Sequence, residues 1–322
     1  MSAAVHILGT GAALPAREVD TATLVARAVP GRDSPELRAR IGIRTRRWLD
    51  RDESVAELGA RALREALDRA GVEPSRLARV IVATTTGGDE KIPSLANALL
   101  GKLEVDDSAD GFDVYNACTA FLTGLDLGAR SVATGLGPVA VVAVEAFSRA
   151  LLPSSPRAYL VLGDAAAAVV LGRGEGGGLG PAYLANTARL RGQMIQPHLH
   201  EMPAPTYVFD TQGEELLDSA LWHIRRACDR ALAAAGLGWG DVDWFLPHQP
   251  NGHMLDALLR ALEVPAGRAV PVVDEIGSVG AAAVPFSLHR LFASGRVRPG
   301  HRVLMAAVGS GTAYGAALYE VP

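Results

Sequence analysis

The chain has 322 residues, of which 49% are hydrophobic and 20% are charged, and its formal net charge is −4. With no excess of basic residues, it is not expected to bind nucleic acid or an anionic membrane surface. Two cysteines are too few for a disulfide framework or a cysteine zinc cluster, and no segment approaches the roughly 20 continuous apolar residues of a membrane span.

The amino-terminal residues carry no positively charged lead before an apolar run, so no secretory signal is expected. A low cysteine content suits a reducing compartment. Together these features predict a cytoplasmic protein.

Strands and helices alternate along the chain, and the clearest element is an amphipathic helix that Gly71 ends. In chain order, the sequence predicts a strand over 3–9 ended by the turn-rich GTGAALP, a helix over 53–70, a strand over 79–86, a helix over 94–102, a strand over 111–115, a helix over 118–134, a strand over 138–144, a hairpin over 158–172 that turns at Gly163 and Asp164, a glycine-rich connector over 172–181 and a helix over 214–235.

The second half of the chain repeats the first at a spacing of about 160–165 residues. Residues 66–84 and 231–249 both read as a helix end, Ala-Gly, a polar turn and a buried strand. Residues 111–145 and 269–309 both read as strand, turn, small-residue helix and strand. We therefore predict an α/β fold of two duplicated halves, 1–173 and 174–322, each built on a mainly parallel sheet with Ala-rich helices packed closely between the sheets.

A duplication places equivalent loops of the two halves face to face. The loop of Cys118 is expected to meet the equivalent loop near Gly277 and Ser278. His248 ends a predicted strand, at the carboxyl edge where open parallel sheets usually carry their chemistry. These residues are therefore expected to lie close together.

Cys118 stands where a predicted strand passes into a predicted helix. It is either a small buried residue of the core or a nucleophile at a helix end. The positive end of the helix dipole would lower the pKa of the thiol, and the backbone N–H of the cysteine would provide half of an oxyanion hole. Cys228 lies inside a predicted helix and is interpreted as a core residue.

A thiolate needs a proton partner, and His248 is the best candidate because it directly follows the apolar strand in WFLPHQPN. His253 lies on the following turn and is expected at the surface. His198 and His200 form an isolated H-x-H pair, which is a poor metal site, so no metal is expected. His6 lies in the first predicted strand, and the remaining histidines are interpreted as surface or packing residues: His223, His289 and His301.

Two glycines, Gly309 and Gly311, follow a buried strand in AAVGSGTAYGAALYE. Glycine allows the backbone to approach a ligand closely. The segment is either a simple hairpin turn or the source of the second oxyanion-hole N–H, for which Gly311 is the candidate.

Seven short motifs follow one another along the chain: ILGTGAALP, IGIRTRRW, VIVATTT, DVYNACTAF, LGDAAAAVVL, LPHQPN and VGSGTAYGAAL. In these motifs and their order, the chain resembles the β-ketoacyl-acyl-carrier-protein synthase III group of thiolase-fold condensing enzymes over nearly its whole length. The resemblance implies a thiolase-like five-layer αβαβα fold, a homodimer and ping-pong chemistry. It also implies that Cys118 takes an acyl group from a thioester of coenzyme A or acyl carrier protein, and that His248 assists the second half-reaction.

The chain departs from that family at the third catalytic position. Condensing members carry an asparagine in an NTSAA-VP run, and this sequence reads SVGAAAVP, which puts Ser278 there. A serine supplies a shorter reach and a single donor for the enolate that decarboxylation forms, and the loss of one such donor typically costs on the order of 10²–10³ in rate. The loading of Cys118 is unaffected by this argument.

The mouth of the site also departs from the family. The stacking tryptophan aligns with Glu36, and the arginine after the HQAN motif aligns with His253. A glutamate would repel nucleotide phosphates, which favours a carrier-protein thioester or a small thioester as the donor. The segment 185–210 falls where the family builds part of its acyl pocket wall, and is expected to differ in shape.

The sequence thus favours an acyltransferase that moves an acyl group from Cys118 to an oxygen or nitrogen atom of a small-molecule acceptor, with His248 as general base. Relatives of this kind act in natural-product pathways, such as polyketide or antibiotic biosynthesis. No permanently bound cofactor is expected. Two alternatives stay open: a decarboxylative β-ketoacyl synthase III that forms a carbon–carbon bond with a malonyl thioester, and a non-catalytic binding scaffold.

Overall fold

The computed structural model describes residues 4–192, 194–195, 207–209 and 213–322. The strands are β1 Ala4–Ala13, β2 Glu18–Asp20, β3 Thr45–Arg47, β4 Arg79–Ala83, β5 Asp110–Val114, β6 Val139–Glu145, β7 Ala165–Gly174, β8 Gly178–Leu179, β9 Tyr183–Asn186, β10 Met194–Ile195, β11 Val208–Phe209, β12 Trp244–Pro247, β13 Arg302–Gly309 and β14 Ala313–Glu320. The α-helices are α1 Thr21–Ala28, α2 Pro35–Ile41, α3 Val55–Ala70, α4 Leu95–Lys102, α5 Ala120–Ala133, α6 Pro156–Val161, α7 Gly213–Ala234, α8 Gly252–Ala261, α9 Val273–Ile276 and α10 Ala283–Ala293.

Two five-stranded sheets carry the fold, and they share one pattern of pairing. In the first sheet, β4 is parallel to β5 and β6, β6 is antiparallel to β7, and β7 is antiparallel to β1. In the second, β12 is parallel to β13, β13 is antiparallel to β14, and β14 is antiparallel to β8 and β9. The common pattern confirms the duplication read from the sequence.

The elements stack in five layers. Helices α3 and α4 cover the outer face of the first sheet, and α7 and α8 cover the outer face of the second. Helices α5 and α10 fill the space between the sheets in a shared core of buried side chains. The fold is therefore the predicted αβαβα arrangement. The two halves share this core. The division into two domains, 1–173 and 174–322, therefore stays a prediction.

Small residues let the central helices approach the sheets, as the sequence predicts. A methyl group on Gly124 would lie 3.0 Å from Val141, and one on Gly128 would lie 2.9 Å from Leu171. Larger side chains at these positions of α5 would push the helix away from the first sheet.

Helix α3 forms where its apolar periodicity predicts it. The hydroxyl of Ser54 accepts a hydrogen bond from the N–H of Glu57 (3.2 Å), a cap that contributes about 1 kcal/mol. Gly71 ends the helix in the left-handed conformation, with φ at 62°. Among the described helices, none has both the length and the apolar character needed to cross a membrane.

The prediction that the first strand stops before the GTGAALP run is wrong, because β1 continues to Ala13. A methyl group on Gly9 would collide with the backbone of Ala66 in α3, so the glycines here permit close helix–strand packing and do not form a turn. The N–H of Ala12 donates to the carboxylate of Glu65 (2.8 Å), which fixes the extension.

The predicted hairpin over 158–172 is also wrong. Pro156 occupies the first turn of helix α6, and the chain becomes a strand only at Ala165. Between them, the buried carboxylate of Asp164 accepts hydrogen bonds from the N–H groups of Leu49 (2.8 Å) and Ser148 (2.9 Å). Short apolar runs such as AYLVL suit a buried helix as well as a strand, which is why periodicity misleads here.

The strand predicted at the start of 269–309 does not form. Ala269 makes a single parallel bridge with Phe245, and the chain then turns into α9. The side chain of Gln249 supplies the partners that a neighbouring strand would provide: its carbonyl accepts from the N–H groups of Val272 (2.9 Å) and Val273 (3.1 Å). A side chain thus replaces a ladder of backbone hydrogen bonds in this half.

Candidate active site

A cavity of about 150 Å³ lies where the carboxyl ends of strands from both sheets meet. The polar residues on its wall that bear on chemistry are Thr85, Cys118, His248, Asn251, Ser278, Ser310 and Thr312. Apolar side chains from α6, α7 and α8 cover much of the rest. The structure therefore brings the three residues proposed for catalysis, Cys118, His248 and Ser278, to one cavity, as the duplication argument predicts; their catalytic roles stay predictions.

Cys118 sits on a tight turn and not in the first turn of α5. It lies in the 3₁₀ turn Ala117–Thr119, and the α-helix begins at Ala120. Ala117 has φ at 46°, a left-handed conformation that non-glycine residues seldom adopt. Strain of this kind persists where the surrounding structure imposes it, and here it directs the cysteine toward the cavity.

The prediction that the helix end lowers the pKa of Cys118 is wrong for the empty site. Burial of the thiol and the charge of Glu145 raise its pKa to about 12. The backbone hydrogen bond of the cysteine acts in the opposite direction and is outweighed. The resting nucleophile is therefore a neutral thiol, and it must lose its proton during the reaction.

His248 continues β12, since its N–H donates to the carbonyl of Ala306 (2.7 Å) on β13. The residue is 4% exposed, and burial lowers the pKa of its imidazole to about 4; a hydrogen bond with the backbone of Gly280 partly opposes the shift. Nδ1 has no hydrogen-bond partner among the described residues. The imidazole is thus neutral at pH 7 and able to accept a proton.

The side chain of Gln249, the residue after His248, anchors this strand end by hydrogen bonds. Its side chain is buried, and besides the two bonds to the 272–273 backbone its amide nitrogen donates to the carbonyl of Val270 (2.9 Å) and the hydroxyl of Ser287 (3.1 Å). All the polar atoms of this side chain are therefore used. Sequence reasoning missed this role, although the polar residue beside a candidate base was a visible signal.

Ser278 is fixed by its backbone on both sides. Its N–H donates to the carbonyl of Val161 (2.8 Å), and its carbonyl accepts from the N–H of Gly163 (3.0 Å). The preceding Gly277 has φ at 76°, and a methyl group there would lie 2.9 Å from the side chain of the buried Arg46. The residue is 5% exposed and contributes to the cavity wall.

The glycine segment forms a hairpin turn between β13 and β14. A methyl group on Gly309 would lie 2.7 Å from the backbone nitrogen of Cys118, so glycine is required for this approach. Gly311 has φ at 77° and Thr312 has φ at 50°. The hairpin geometry is thus observed, and the role of Gly311 as an oxyanion donor stays a prediction.

Sequence reasoning also missed Glu145, the last residue of β6. It is completely buried beside the cavity, and burial raises its pKa to about 7. The only signal in the sequence was a carboxylate closing the apolar run VAVVAVE.

Helix α8 contributes Met254 to the cavity wall, and helix α2 packs against α8. The two helices touch where Gly42 meets Gly252; a methyl group on Gly42 would lie 2.7 Å from the Cα of Gly252. Glu36 is exposed in the first turn of α2, and His253 is exposed in the first turn of α8. The two residues that depart from the family pattern therefore lie on neighbouring helices, α2 and α8.

Arg157 on α6 brings positive charge to the cavity wall, and burial together with the charge of Arg40 lowers its pKa. The histidine pair His198 and His200 lies outside the described residues, as does much of the predicted pocket wall over 185–210. Within the described part of the chain, no three His, Cys, Asp or Glu side chains group as metal ligands.

Comparison with known proteins identifies the family. Residues 112–187 match the family model for 3-oxoacyl-[acyl-carrier-protein] synthase III, and residues 232–321 match the model for its C-terminal part. A β-ketoacyl-[acyl-carrier-protein] synthase III from Rhizorhabdus wittichii is 34% identical, with 97% of each chain covered. The synthase III 3 from Streptomyces coelicolor is 32% identical, covering 100% of this chain and 98% of the relative.

Solved structures agree with this result. The priming β-ketosynthase of the R1128 polyketide pathway superposes with a TM-score of 0.91 at 32% identity, covering 100% of this chain and 97% of the other. The 3-oxoacyl-(acyl carrier protein) synthase III of Pseudomonas aeruginosa superposes with a TM-score of 0.90 at 28% identity, covering 99% and 98%. The chain is therefore an enzyme of the β-ketoacyl-acyl-carrier-protein synthase III family and has the thiolase fold of its condensing enzymes.

Proposed function

We propose that this enzyme transfers an acyl group from a thioester donor to Cys118 and then to an oxygen or nitrogen atom of a small acceptor. The observation that carries the proposal is the shared cavity, in which Ser278 accompanies Cys118 and His248. The family resemblance implies an asparagine at the position of Ser278. The residues proposed for loading line or adjoin this cavity, whereas Ser278 replaces one of the two groups that the resemblance implies for stabilising a malonyl enolate.

In the first half-reaction the sulfur of Cys118 attacks the thioester carbonyl while His248 accepts the thiol proton. The oxyanion of the tetrahedral intermediate accepts hydrogen bonds from the N–H groups of Cys118 and Gly311. Collapse of the intermediate breaks the bond to the donor thiolate, which leaves with the proton from His248. The products are acyl-Cys118 and the free donor thiol.

In the second half-reaction the acceptor hydroxyl or amine attacks the acyl carbonyl. His248 removes its proton and returns it to the sulfur of Cys118 as the carbon–sulfur bond breaks. A neutral imidazole suits this role, and burial keeps His248 neutral by lowering its pKa. Ser278 would contribute a single hydrogen bond beside the base.

A carrier-protein thioester is the favoured donor, because Glu36 puts a negative charge where the family resemblance implies a stacking tryptophan for coenzyme A. The relatives are named as acyl-carrier-protein synthases, and one solved neighbour is a priming ketosynthase from a polyketide pathway. These names support a place in natural-product biosynthesis. A homodimer is proposed on the family resemblance.

Carbon–carbon bond formation is the second candidate, and the names of the relatives favour it. The two functions separate at the step after loading. In the alternative, acyl-Cys118 reacts with the enolate formed when a malonyl thioester loses CO₂, and Ser278 then stabilises that enolate.

Intact-mass spectrometry tests the proposal in two stages. The protein is first treated with short acyl-coenzyme A and acyl-carrier-protein thioesters, and Cys118→Ala serves as the control that gains no acyl mass. The acylated protein is then given either a malonyl thioester or a panel of alcohols and amines. We expect deacylation by members of the panel and little CO₂ release.

The matched variant Ser278→Asn restores the family residue. It is expected to raise CO₂ release from malonyl thioester by about 10²-fold, the usual effect of one such donor. Prompt CO₂ release and a β-keto product from the wild-type protein would establish the alternative instead. If neither thioester class ever acylated Cys118, both functions would be excluded.

A further inference from the structure

Glu145 is a completely buried carboxylate that receives four hydrogen bonds from both halves of the molecule. In the first half, the N–H and hydroxyl of Thr85 donate to it (3.0 and 2.8 Å), and so does the N–H of Thr86 (3.2 Å). In the second half, the N–H of Ala281 donates to it (3.0 Å). The Glu145 carboxylate takes part in neither of the two proposed half-reactions.

The second-half contact leads directly to the base. Ala281 lies in the 3₁₀ turn Gly280–Ala282, and Gly280 lines the cavity with His248, close enough for its backbone to affect the pKa of the imidazole. A methyl group on Gly280 would lie 2.7 Å from the carboxylate of Glu145, so the turn is pressed against it. A displacement of the Glu145 carboxylate would therefore move the backbone of Gly280, which lies beside the imidazole of His248.

The first-half contacts lead to the nucleophile. Thr85 contributes to the cavity wall together with Cys118. Burial raises the pKa of the Cys118 thiol most, and the charge of Glu145 raises it further. The charge of Glu145 also acts on the hydroxyls of Tyr115 and Tyr207, whose pKa values are raised by burial first and then by Glu145.

Among the described residues, the hydrogen-bond donors to Glu145 are backbone N–H groups and the hydroxyl of Thr85. Burial raises its pKa to about 7, which these hydrogen bonds oppose without overcoming. The carboxyl group therefore changes charge within the physiological pH range while it remains in contact with both halves.

We propose that Glu145 is a positioning residue for both half-reactions, tying Thr85 to the Gly280–Ala282 turn so that His248 is held in place, and setting a negative charge beside the Cys118 thiol. The part that concerns His248 rests on the proposed acyl-Cys118 intermediate. The part that concerns the thiol does not. The two roles have opposite consequences, because the charge opposes loading whereas the hydrogen bonds support transfer.

Alkylation of Cys118 by iodoacetamide measures the first role without any acyl substrate. In Glu145→Gln the charge is absent, so the alkylation rate at pH 8 is expected to rise about tenfold, which corresponds to one unit of thiol pKa. Deacylation of preloaded enzyme is expected to fall about tenfold, because the amide cannot accept all four hydrogen bonds. Glu145→Asp keeps the charge and shortens the reach, so only deacylation should slow.

Asp164→Asn is the matched control, since Asp164 is also a buried carboxylate that accepts backbone hydrogen bonds, and burial raises its pKa to about 6. It has no contact with the 280–282 turn among the described hydrogen bonds. We expect lower stability in this variant but an unchanged alkylation profile.

The wild-type protein provides a readout that needs no variant. The logarithm of the alkylation rate should rise with pH, flatten around pH 7 as Glu145 ionises, and rise again above pH 8. Absence of this flattening, an unshifted profile in Glu145→Gln, or an equal loss of alkylation and deacylation would each overturn the proposal. If no acyl mass ever formed, the proposed function would fail, and the alkylation data would still decide the effect of the charge.

Discussion

Desolvation acts on the pKa values of Cys118 and His248 in opposite directions. The thiol pKa rises from 9.0 to about 12, which disfavours ionisation by about 4 kcal/mol. A helix end contributes only about 0.3–1 kcal/mol to a nearby charge. Desolvation therefore outweighs the dipole, and the empty site holds a neutral thiol and a neutral imidazole, not an ion pair.

The pH dependence of the two half-reactions should follow from these neutral forms. Because His248 accepts the proton of the neutral thiol as the sulfur attacks, the rate of acyl loading is expected to change little between pH 7 and 10. Burial holds the pKa of His248 near 4, so its base form is present throughout the range from pH 7 to 5.5. Deacylation of preloaded enzyme should therefore stay nearly constant there.

Single-turnover mass spectrometry at each pH measures both rates. The Cys118→Ala variant defines the background. A loading rate that rose about tenfold per pH unit between pH 8 and 10 would show that only the preformed thiolate attacks, without help from His248. A deacylation rate that fell around pH 6.5 would show that His248 is hydrated in the acyl-enzyme.

At the scale of elements, one side chain takes the place of a strand. Gln249 connects the strand end that carries His248 to the 270–273 backbone and to α10 through Ser287. Each buried N–H that loses its partner costs about 1–3 kcal/mol. The arrangement is therefore sensitive to replacement by an apolar side chain of similar size.

Gln249→Leu is expected to lower the free energy of unfolding by about 2–4 kcal/mol, because Val272 and Val273 would keep buried N–H groups without acceptors. Urea unfolding measures this change. Ser287→Ala is the comparison, since it removes one of the four hydrogen bonds and should cost about 1 kcal/mol. Equal stability of the Gln249→Leu variant and the wild type would show that water reaches these groups.

The elements that the sequence predicts well are those with local causes. Helix α3 follows from its own periodicity, Ser54 and Gly71. The failed strand at 269–273 depends on a side chain more than twenty residues away, and the contact between Glu145 and Ala281 joins residues 136 positions apart. The candidate site could be located from the sequence because Cys118 and His248 follow strands. The pKa values of its residues could not be predicted, since the burial of a side chain depends on the whole fold.

At the scale of the molecule, the central layer makes the two halves interdependent. Helix α10 of the second half packs on β1 and β7 of the first, within a buried cluster that includes side chains of both sheets. Removing either half would expose this apolar face to water, at about 25 cal/mol for each Å². The core therefore favours one cooperative unit over two independent domains.

We expect the whole chain to unfold in urea in a single transition. Hydrogen exchange followed by mass spectrometry should give one opening free energy for β6 in the first sheet and β13 in the second. Two separate transitions, or a clearly weaker β13, would instead support independent halves divided near residues 173 and 174.

The two 3₁₀ turns that meet at the cavity, Ala117–Thr119 and Gly280–Ala282, occupy equivalent places in the duplicated halves. In a symmetric pair of unfused halves both turns would carry the same residues. Fusion into one chain removes that constraint. It allows a cysteine in one turn and only small, chemically inert residues in the equivalent turn. Two halves of the same fold can therefore enclose a cavity with different chemical groups on its two sides.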